Sequence, residues 1–137
     1  MKANIYLNFN GNCEEAFNFY KKALGVEFTT FMRFKDMPGG GYVPPKGEEN
    51  LVMHVSLPIG KTNNLLGSDT PSQMGKAVFG NNFSISLYPS SEEEAKKLFN
   101  SLSSGGKIIM PLSKTFWAKS YGMFTDKFGV QWMINYE

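Results

Sequence analysis

One histidine (His54) and one cysteine (Cys13) occur in 137 residues. That scarcity excludes a disulfide framework, a zinc finger, and any metal site built on two imidazoles or two thiolates. Long apolar runs are missing as well. Apolar residues never exceed three in succession, against the roughly 20 needed to span a bilayer, so no membrane partner is expected. Met1-Lys2-Ala3-Asn4 leads straight into a strand-like pattern, without the apolar core of a signal peptide; cytoplasmic residence is the expectation. Concentrated positive charge is the third absence. The net charge is +2, and basic residues are scattered in pairs such as Lys21-Lys22 and Lys96-Lys97. A nucleic-acid binder gathers its charge into one patch, so no nucleic-acid partner is expected. What is present is foldable material: 42% hydrophobic and 19% charged residues, the balance of a globular chain. Aromatics reach 15%, with 12 phenylalanines, enough for a large core or an aromatic-lined cavity. The length suits one domain.

Two helix signals resemble each other. Asn12-Cys13-Glu14-Glu15-Ala16 is followed by Phe17, Tyr20, Ala23 and Leu24 and ends at Gly25. Asn12 is a candidate cap, with Glu15 three residues on, and Gly25 a candidate left-handed terminator. Ser91-Glu92-Glu93-Glu94-Ala95 is followed by Leu98, Phe99 and Leu102 and ends at Gly105-Gly106. Overlaying Glu15 on Glu94 places Ala16 on Ala95, Tyr20 on Phe99 and Ala23 on Leu102. The chain therefore reads as a duplicated module.

Strands appear as alternation with a period of two. Ile5, Leu7 and Phe9 alternate with Tyr6 and Asn8; Leu51, Met53, Val55 and Leu57 with Val52, His54 and Ser56. In the second half, Phe83, Ile85 and Leu87 alternate with Ser84 and Ser86, and Val130, Trp132, Ile134 and Tyr136 with Gln131, Met133 and Asn135. Segments 26–34, 64–67, 107–110 and 119–125 complete the set, so each half reads strand, helix, three strands. Pro58-Ile59-Gly60-Lys61 and Asp126-Lys127-Phe128-Gly129 read as turns. Segment 35–50, with Pro38-Gly39-Gly40-Gly41 and Pro44-Pro45, is too rich in breakers for an element, and a loop of that length is commonly functional or mobile. The domain reading is a single domain, 1–137, of two modules (about 1–69 and 81–137) joined by 70–80.

In an α+β sheet the strongly apolar face packs under the helices. The other face carries Tyr6, Asn8, His54, Ser56, Ser84, Ser86, Gln131, Met133 and Asn135. On a flat sheet these residues meet water; on a curled one they line a semi-polar cavity suited to a small ligand. Periodicity leaves the two open.

The chain resembles the vicinal oxygen chelate superfamily (glyoxalase, bleomycin-resistance and dioxygenase folds), in its PhnB-like branch. The resemblance lies in Tyr6-Leu7-Asn8-Phe9-Asn10-Gly11-Asn12, Glu15-Ala16, Phe19-Tyr20-Lys21, Met53-His54-Val55-Ser56-Leu57 and Leu65-Leu66-Gly67-Ser68-Asp69. It continues in Phe116-Trp117, Tyr121-Gly122, Asp126-Lys127-Phe128-Gly129-Val130 and Trp132-Met133-Ile134-Asn135, and so covers nearly the whole chain in order. It implies two βαβββ modules forming a curved mixed sheet around a cavity, and a homodimer. The ligand-binding residues it suggests are Tyr6, Asn8, His54, Ser84, Trp117, Tyr121, Gln131 and Met133.

Members of that superfamily that do chemistry bind a divalent metal through His, Glu or Gln on the first and last strands of each module. Here those slots hold Ile5, Tyr6 or Leu7; Leu65, Leu66 or Gly67; Asn82 or Phe83; and Met133. A thioether is a poor ligand for the hard or borderline cations involved. The expectation is therefore an unknown small molecule bound in a sheet-lined cavity, with no cofactor and with the usual metal ligands missing. Whether the protein is an enzyme stays open. The alternative is a metal-dependent lyase or dioxygenase-like enzyme rearranged around His54 and Asp69. His54 is the candidate catalytic residue because its side chain titrates near neutrality when unperturbed; the bland reading is a structural strand histidine. Asp69, before Thr70-Pro71, reads equally as a turn cap. Cys13, on a first helical turn, is a candidate for a lowered pKa. A ubiquinone methyltransferase name has been attached to the branch, but no glycine-rich loop with an acidic residue about 20 positions on occurs here.

Overall fold

A computed structural model describes residues 1–137, the immediate surroundings of Gly40 excepted. The chain divides into two compact units, Met1–Val78 and Phe79–Glu137; residues 70–78 group with the first. Unit 1 runs β1 (Ile5–Phe9), α1 (Cys13–Leu24), β2 (Thr30–Arg33), β3 (Val52–Ile59) and β4 (Asn63–Asp69). Its sheet order is β1-β4-β3-β2, with β1 and β4 parallel and the other pairs antiparallel. Unit 2 repeats the plan with β5 (Ile85–Leu87), α2 (Glu92–Ser103), β6 (Lys107–Ser113), β7 (Ser120–Thr125) and β8 (Gln131–Tyr136), in the order β5-β8-β7-β6. The chain is thus α+β, built of two βαβββ modules. Among the described residues no helix is long and apolar enough to cross a membrane.

Each helix buries one apolar stripe on its own sheet. In unit 1 the stripe is Ala16, Phe17, Tyr20 and Ala23, facing Leu7, Phe9, Val55, Leu57 and Leu65. The Phe17 ring stands edge-on to Phe9 and to Tyr20, at 6.1 and 5.5 Å between centroids. In unit 2, Ala95, Phe99 and Leu102 meet Phe124, Trp132 and Ile134, with Phe99 edge-on to Phe124 at 5.2 Å. Gly25 ends α1 in the left-handed region at φ 67°, its N–H bonded to the Lys21 carbonyl.

Four local expectations are corrected. Asn12 makes no side-chain cap on α1; the Asp69 carboxylate, at the end of β4, accepts from the Gly11 and Cys13 N–H groups instead, at 2.9 and 3.0 Å. The strand expected over 26–34 shrinks to Thr30–Arg33: residues 26–29 lie outside it, and Phe34 turns into a 3-10 segment, Phe34–Asp36. Pro58 and Ile59 are not a turn but strand residues paired with Asn64 and Asn63. The simple alternation of β3 also fails. Met32 pairs with His54 and Arg33 with Val52, so Met53 is an extra residue in a β-bulge. The bulge puts Val52 into the core and frees Met53 from the core face where alternation placed it, an example of how a bulge re-aims a side chain.

Candidate functional site

Along β1 the side chains alternate, so Leu7 and Phe9 face α1 while Tyr6 and Asn8 point away. On β4, the position of Gly67 faces the Phe17 ring of α1, which turns Ser68 the other way. A cavity of about 600 Å³ lies in unit 1, with Tyr6, Asn8, Met53 and Ser68 supplied by the sheet. Phe34, Met37 and Tyr42 come from the segment after β2, and Thr70, Pro71 and Met74 from the segment after β4. Asp69 completes the lining. The lining is dominated by aromatic and methionine side chains with a few polar groups among them, the usual make-up of a small-molecule pocket.

The two walls are tied to each other. The Tyr42 hydroxyl donates to Gln73 Oε1 at 3.1 Å, and the Phe34 and Tyr42 rings meet edge-on at 5.8 Å. Ser72 donates to the Glu48 carboxylate through both its N–H (2.9 Å) and its hydroxyl (2.6 Å). Those two donors hold the Glu48 carboxyl below its ordinary pKa. The 3-10 turns Pro38–Gly40 and Ser72–Met74 lie within these walls.

His54 stands beside this cavity. Its Nδ1 is 3.3 Å from the Tyr6 hydroxyl, and the two rings are 5.8 Å apart. The histidine therefore touches the cavity through Tyr6, holding the phenol that lines it. With the proton on Nε2, Nδ1 accepts from Tyr6 and leaves the phenol oxygen free to accept from a ligand.

The remaining expected residues belong to unit 2. Ser84 and Gln131 engage each other at 3.5 Å, and Gln131 Nε2 donates to the Gly80 carbonyl at 3.3 Å. Trp117 stacks edge-on against Tyr121 at 5.2 Å. Met133 pairs across the ladder with Met123 on one side and Ser86 on the other. Sequence reasoning missed Phe34, Met37, Tyr42, Met53, Ser68, Thr70, Pro71 and Met74. The usable signal was segment 35–50, a long breaker-rich stretch that still carries Met37 and Tyr42. Met53 gave no signal, because the bulge depends on cross-strand pairing.

The model of the Glyoxalase/Bleomycin resistance protein/Dioxygenase superfamily matches residues 4–134. The chain belongs to this superfamily. Protein YjdN of Escherichia coli K12 is 35% identical over 142 residues, covering 98% of this chain and 95% of YjdN. The crystal structure of protein PA1353 from Pseudomonas aeruginosa superposes with a TM-score of 0.87 at 42% identity, covering 100% of this chain and 98% of the other. The PhnB protein of Bacillus cereus gives 0.78 at 28% identity over the full length of both chains. The chain falls in the PhnB-like branch.

A divalent metal is the group this superfamily implies, and the donors present do not fit it. Asp69, the one carboxylate at the cavity, is 3% exposed. Its Oδ1 accepts from Gly11 and Cys13, and its Oδ2 from the Val52 N–H at 2.9 Å. Both oxygens hold backbone at the start of α1 and of β3, a long-range clamp in place of the local turn cap expected before Thr70-Pro71. Among the described residues no three His, Cys, Asp or Glu side chains gather into a set that could hold a metal ion. Asp126, equally buried in unit 2, is occupied likewise: it accepts from the Phe128 and Val130 N–H groups and from Trp132 Nε1 at 2.8, 3.0 and 2.8 Å.

Cys13 is a correction. Its place at the start of α1 suggested an acidified thiol, but burial pushes the thiol well up, helped by the Asp69 and Glu14 carboxylates. Desolvation outweighs the helix terminus, so this cysteine is an inert core residue.

Proposed function

We propose that this PhnB-like protein binds a small, flat, largely apolar molecule in the unit 1 cavity, oriented by the Tyr6–His54 pair. The observation that carries this reading is the lining itself. Phe34, Tyr42, Met37, Met53 and Met74 surround about 600 Å³, a volume in the range of ligand pockets. Thioethers adapt their shape to an aromatic guest and make favourable sulfur–ring contacts. The polar groups are few and placed at the sheet, where Tyr6, Asn8 and Ser68 fix orientation.

A titration with 2-naphthol tests the reading, because it combines a flat apolar body with one hydroxyl. Binding by calorimetry is expected, weakened about fivefold in Tyr6→Phe, the usual effect of one neutral hydrogen bond. Tyr42→Ala removes a wall and is expected to weaken binding more. No heat of binding, or equal affinity in Tyr42→Ala, would refute it.

We also propose that the protein works as a homodimer. The support is β6, an edge strand whose Ile108, Ile109 and Met110 are all exposed, a feature that invites pairing. Sedimentation velocity is expected to give a dimer that Ile109→Lys weakens; a wild-type monomer at micromolar concentration ends the idea.

A further inference from the structure

We infer that Asn10 is a self-modification site. Its side-chain amide cyclises onto the Gly11 nitrogen with loss of ammonia, and the fold holds that reaction in check until the turn between β1 and α1 opens. The inference does not depend on any ligand of the unit 1 cavity.

The sequence supplies the reactants. Asn10-Gly11 is the one Asn-Gly pair in the chain. A glycine after asparagine is the most favourable partner for this cyclisation, because no side chain blocks the approach of its nitrogen. The turn itself demands the glycine. Gly11 has φ 99°, a conformation that favours glycine. A Cβ placed there would meet nothing within 4 Å, so the requirement is conformational and not one of space. Asn10 is exposed, and water reaches its amide.

Two sets of hydrogen bonds restrain the reaction. The attacking group is the Gly11 nitrogen after loss of its proton. That N–H donates to Asp69 Oδ1 at 2.9 Å. Asp69 is 3% exposed, and its carboxylate disfavours a second negative charge beside it. The departing group is the Asn10 NH₂. It donates to the Ala77 carbonyl at 2.9 Å, while Asn10 Oδ1 accepts from the Ala77 N–H at 2.8 Å. The paired bonds fix the amide on Ala77 and keep its carbonyl carbon from swinging toward Gly11. Both restraints end when the turn opens locally.

The step needs no co-reactant except water. The Gly11 nitrogen bonds to Asn10 Cγ, the Cγ–Nδ2 bond breaks, and ammonia leaves with the proton that Gly11 gave up. Water then opens the ring at either carbonyl, giving aspartate or its isomer with the main chain routed through the side-chain carbon. Both products carry a new negative charge and no NH₂. The Ala77 carbonyl then faces an acceptor in place of a donor. Residues 75–78, which have no helix or strand, lose that anchor on unit 1. The isomer also lengthens the main chain by a methylene, displacing Gly11 from Asp69.

The full chain is incubated in mildly alkaline buffer, folded or in guanidinium chloride. Asn10 is followed by peptide mass spectrometry that separates aspartyl from isoaspartyl products. Conversion in the folded chain is expected to be at least about tenfold slower than in the unfolded one, because only the locally open state reacts. Asp69→Asn removes the charge beside Gly11. Its folded form is expected to convert faster than Gly67→Ala, a variant of similar expected stability that leaves Asp69 in place. Asn10→Asp is the product made directly. Amide exchange at residues 76–78 is expected to be about fivefold faster in it than in wild type, the effect of one lost hydrogen bond. The wild-type and Asn10→Asp comparisons survive a failure of Asp69→Asn to fold. Equal conversion in the folded and unfolded wild type would overturn the inference, as would no conversion in the unfolded chain. So would equal rates in Asp69→Asn and Gly67→Ala, or unchanged exchange at 76–78 in Asn10→Asp.

Discussion

Replacing Asp69 separates a carboxylate that holds backbone from one that serves chemistry. Its three acceptances, from Gly11, Cys13 and Val52 at 2.9, 3.0 and 2.9 Å, tie the end of β4 to the start of α1 and of β3. In Asp69→Ala the Cys13 and Val52 N–H groups stay buried without a partner. Each such group costs about 1–3 kcal/mol, so the loss is about 2–6 kcal/mol. A chain of this length is stable by about 7–20 kcal/mol, which makes the substitution a large fraction of the whole. Asp69→Asn keeps one carbonyl oxygen for the Gly11 and Cys13 pair but turns an NH₂ toward the Val52 N–H. One donor is then unanswered, and the expected loss is about 1–3 kcal/mol. Urea unfolding followed by circular dichroism measures both, with an unchanged slope confirming that only stability moved. The order wild type, Asp69→Asn, Asp69→Ala is the expectation. The reasoning fails if Asp69→Ala lies within about 0.5 kcal/mol of wild type, the range of ordinary surface substitutions. It fails equally if chelator dialysis lowers the melting temperature of wild type but not of Asp69→Asn, because the carboxylate would then be a metal ligand.

Cys13 should resist iodoacetamide at pH 8 in the native state and react fully in urea. Its raised pKa favours the neutral thiol in the fold, so that contribution is intact below the ordinary value of 9.0 and is lost as pH rises above it; an unfolding midpoint that climbs from pH 8 to 10 would contradict this. On the acid side, Arg33 holds the Glu14 carboxyl below its ordinary value through paired bonds at 3.0 and 2.7 Å. That contribution is present above about pH 4.5 and disappears as pH falls. Both side chains are partly exposed, so Glu14→Gln should cost under about 1 kcal/mol, a value a double-mutant cycle with Arg33→Gln can check. Gly67→Ala would drive a methyl into the Phe17 ring, at about 1–3 kcal/mol; restoration by the double variant with Phe17→Leu is the diagnostic, and no rescue would point to the backbone instead.

The sheet that carries the candidate site was legible wherever burial alone sets the pattern. The stripe Ala16, Phe17, Tyr20, Ala23 and its echo Ala95, Phe99, Leu102 need only a helical period and an apolar sheet to face. The parallel β1–β4 and β5–β8 pairs belong to the tertiary structure, since no local pattern says which strands meet. Tyr6 and Asn8 were legible as residues of the sheet face away from α1 because β1 alternates without interruption. Phe34, Tyr42 and Met74 as cavity residues were not, since a breaker-rich segment carries no period from which to project a side chain.

The sequence by itself determined the α+β class, the two-module plan and the chain's resemblance to its superfamily. These depend on residue type and spacing, which survive in one dimension. The tertiary structure decided where polar groups find partners. Asp69 became a clamp on three backbone donors and Cys13 an inert thiol, while a bulge moved Met53 into the cavity lining. Each outcome depends on which atoms lie within about 3 Å of one another, the reach of a hydrogen bond. That proximity is created by the pairing of distant segments and is not encoded in any local pattern.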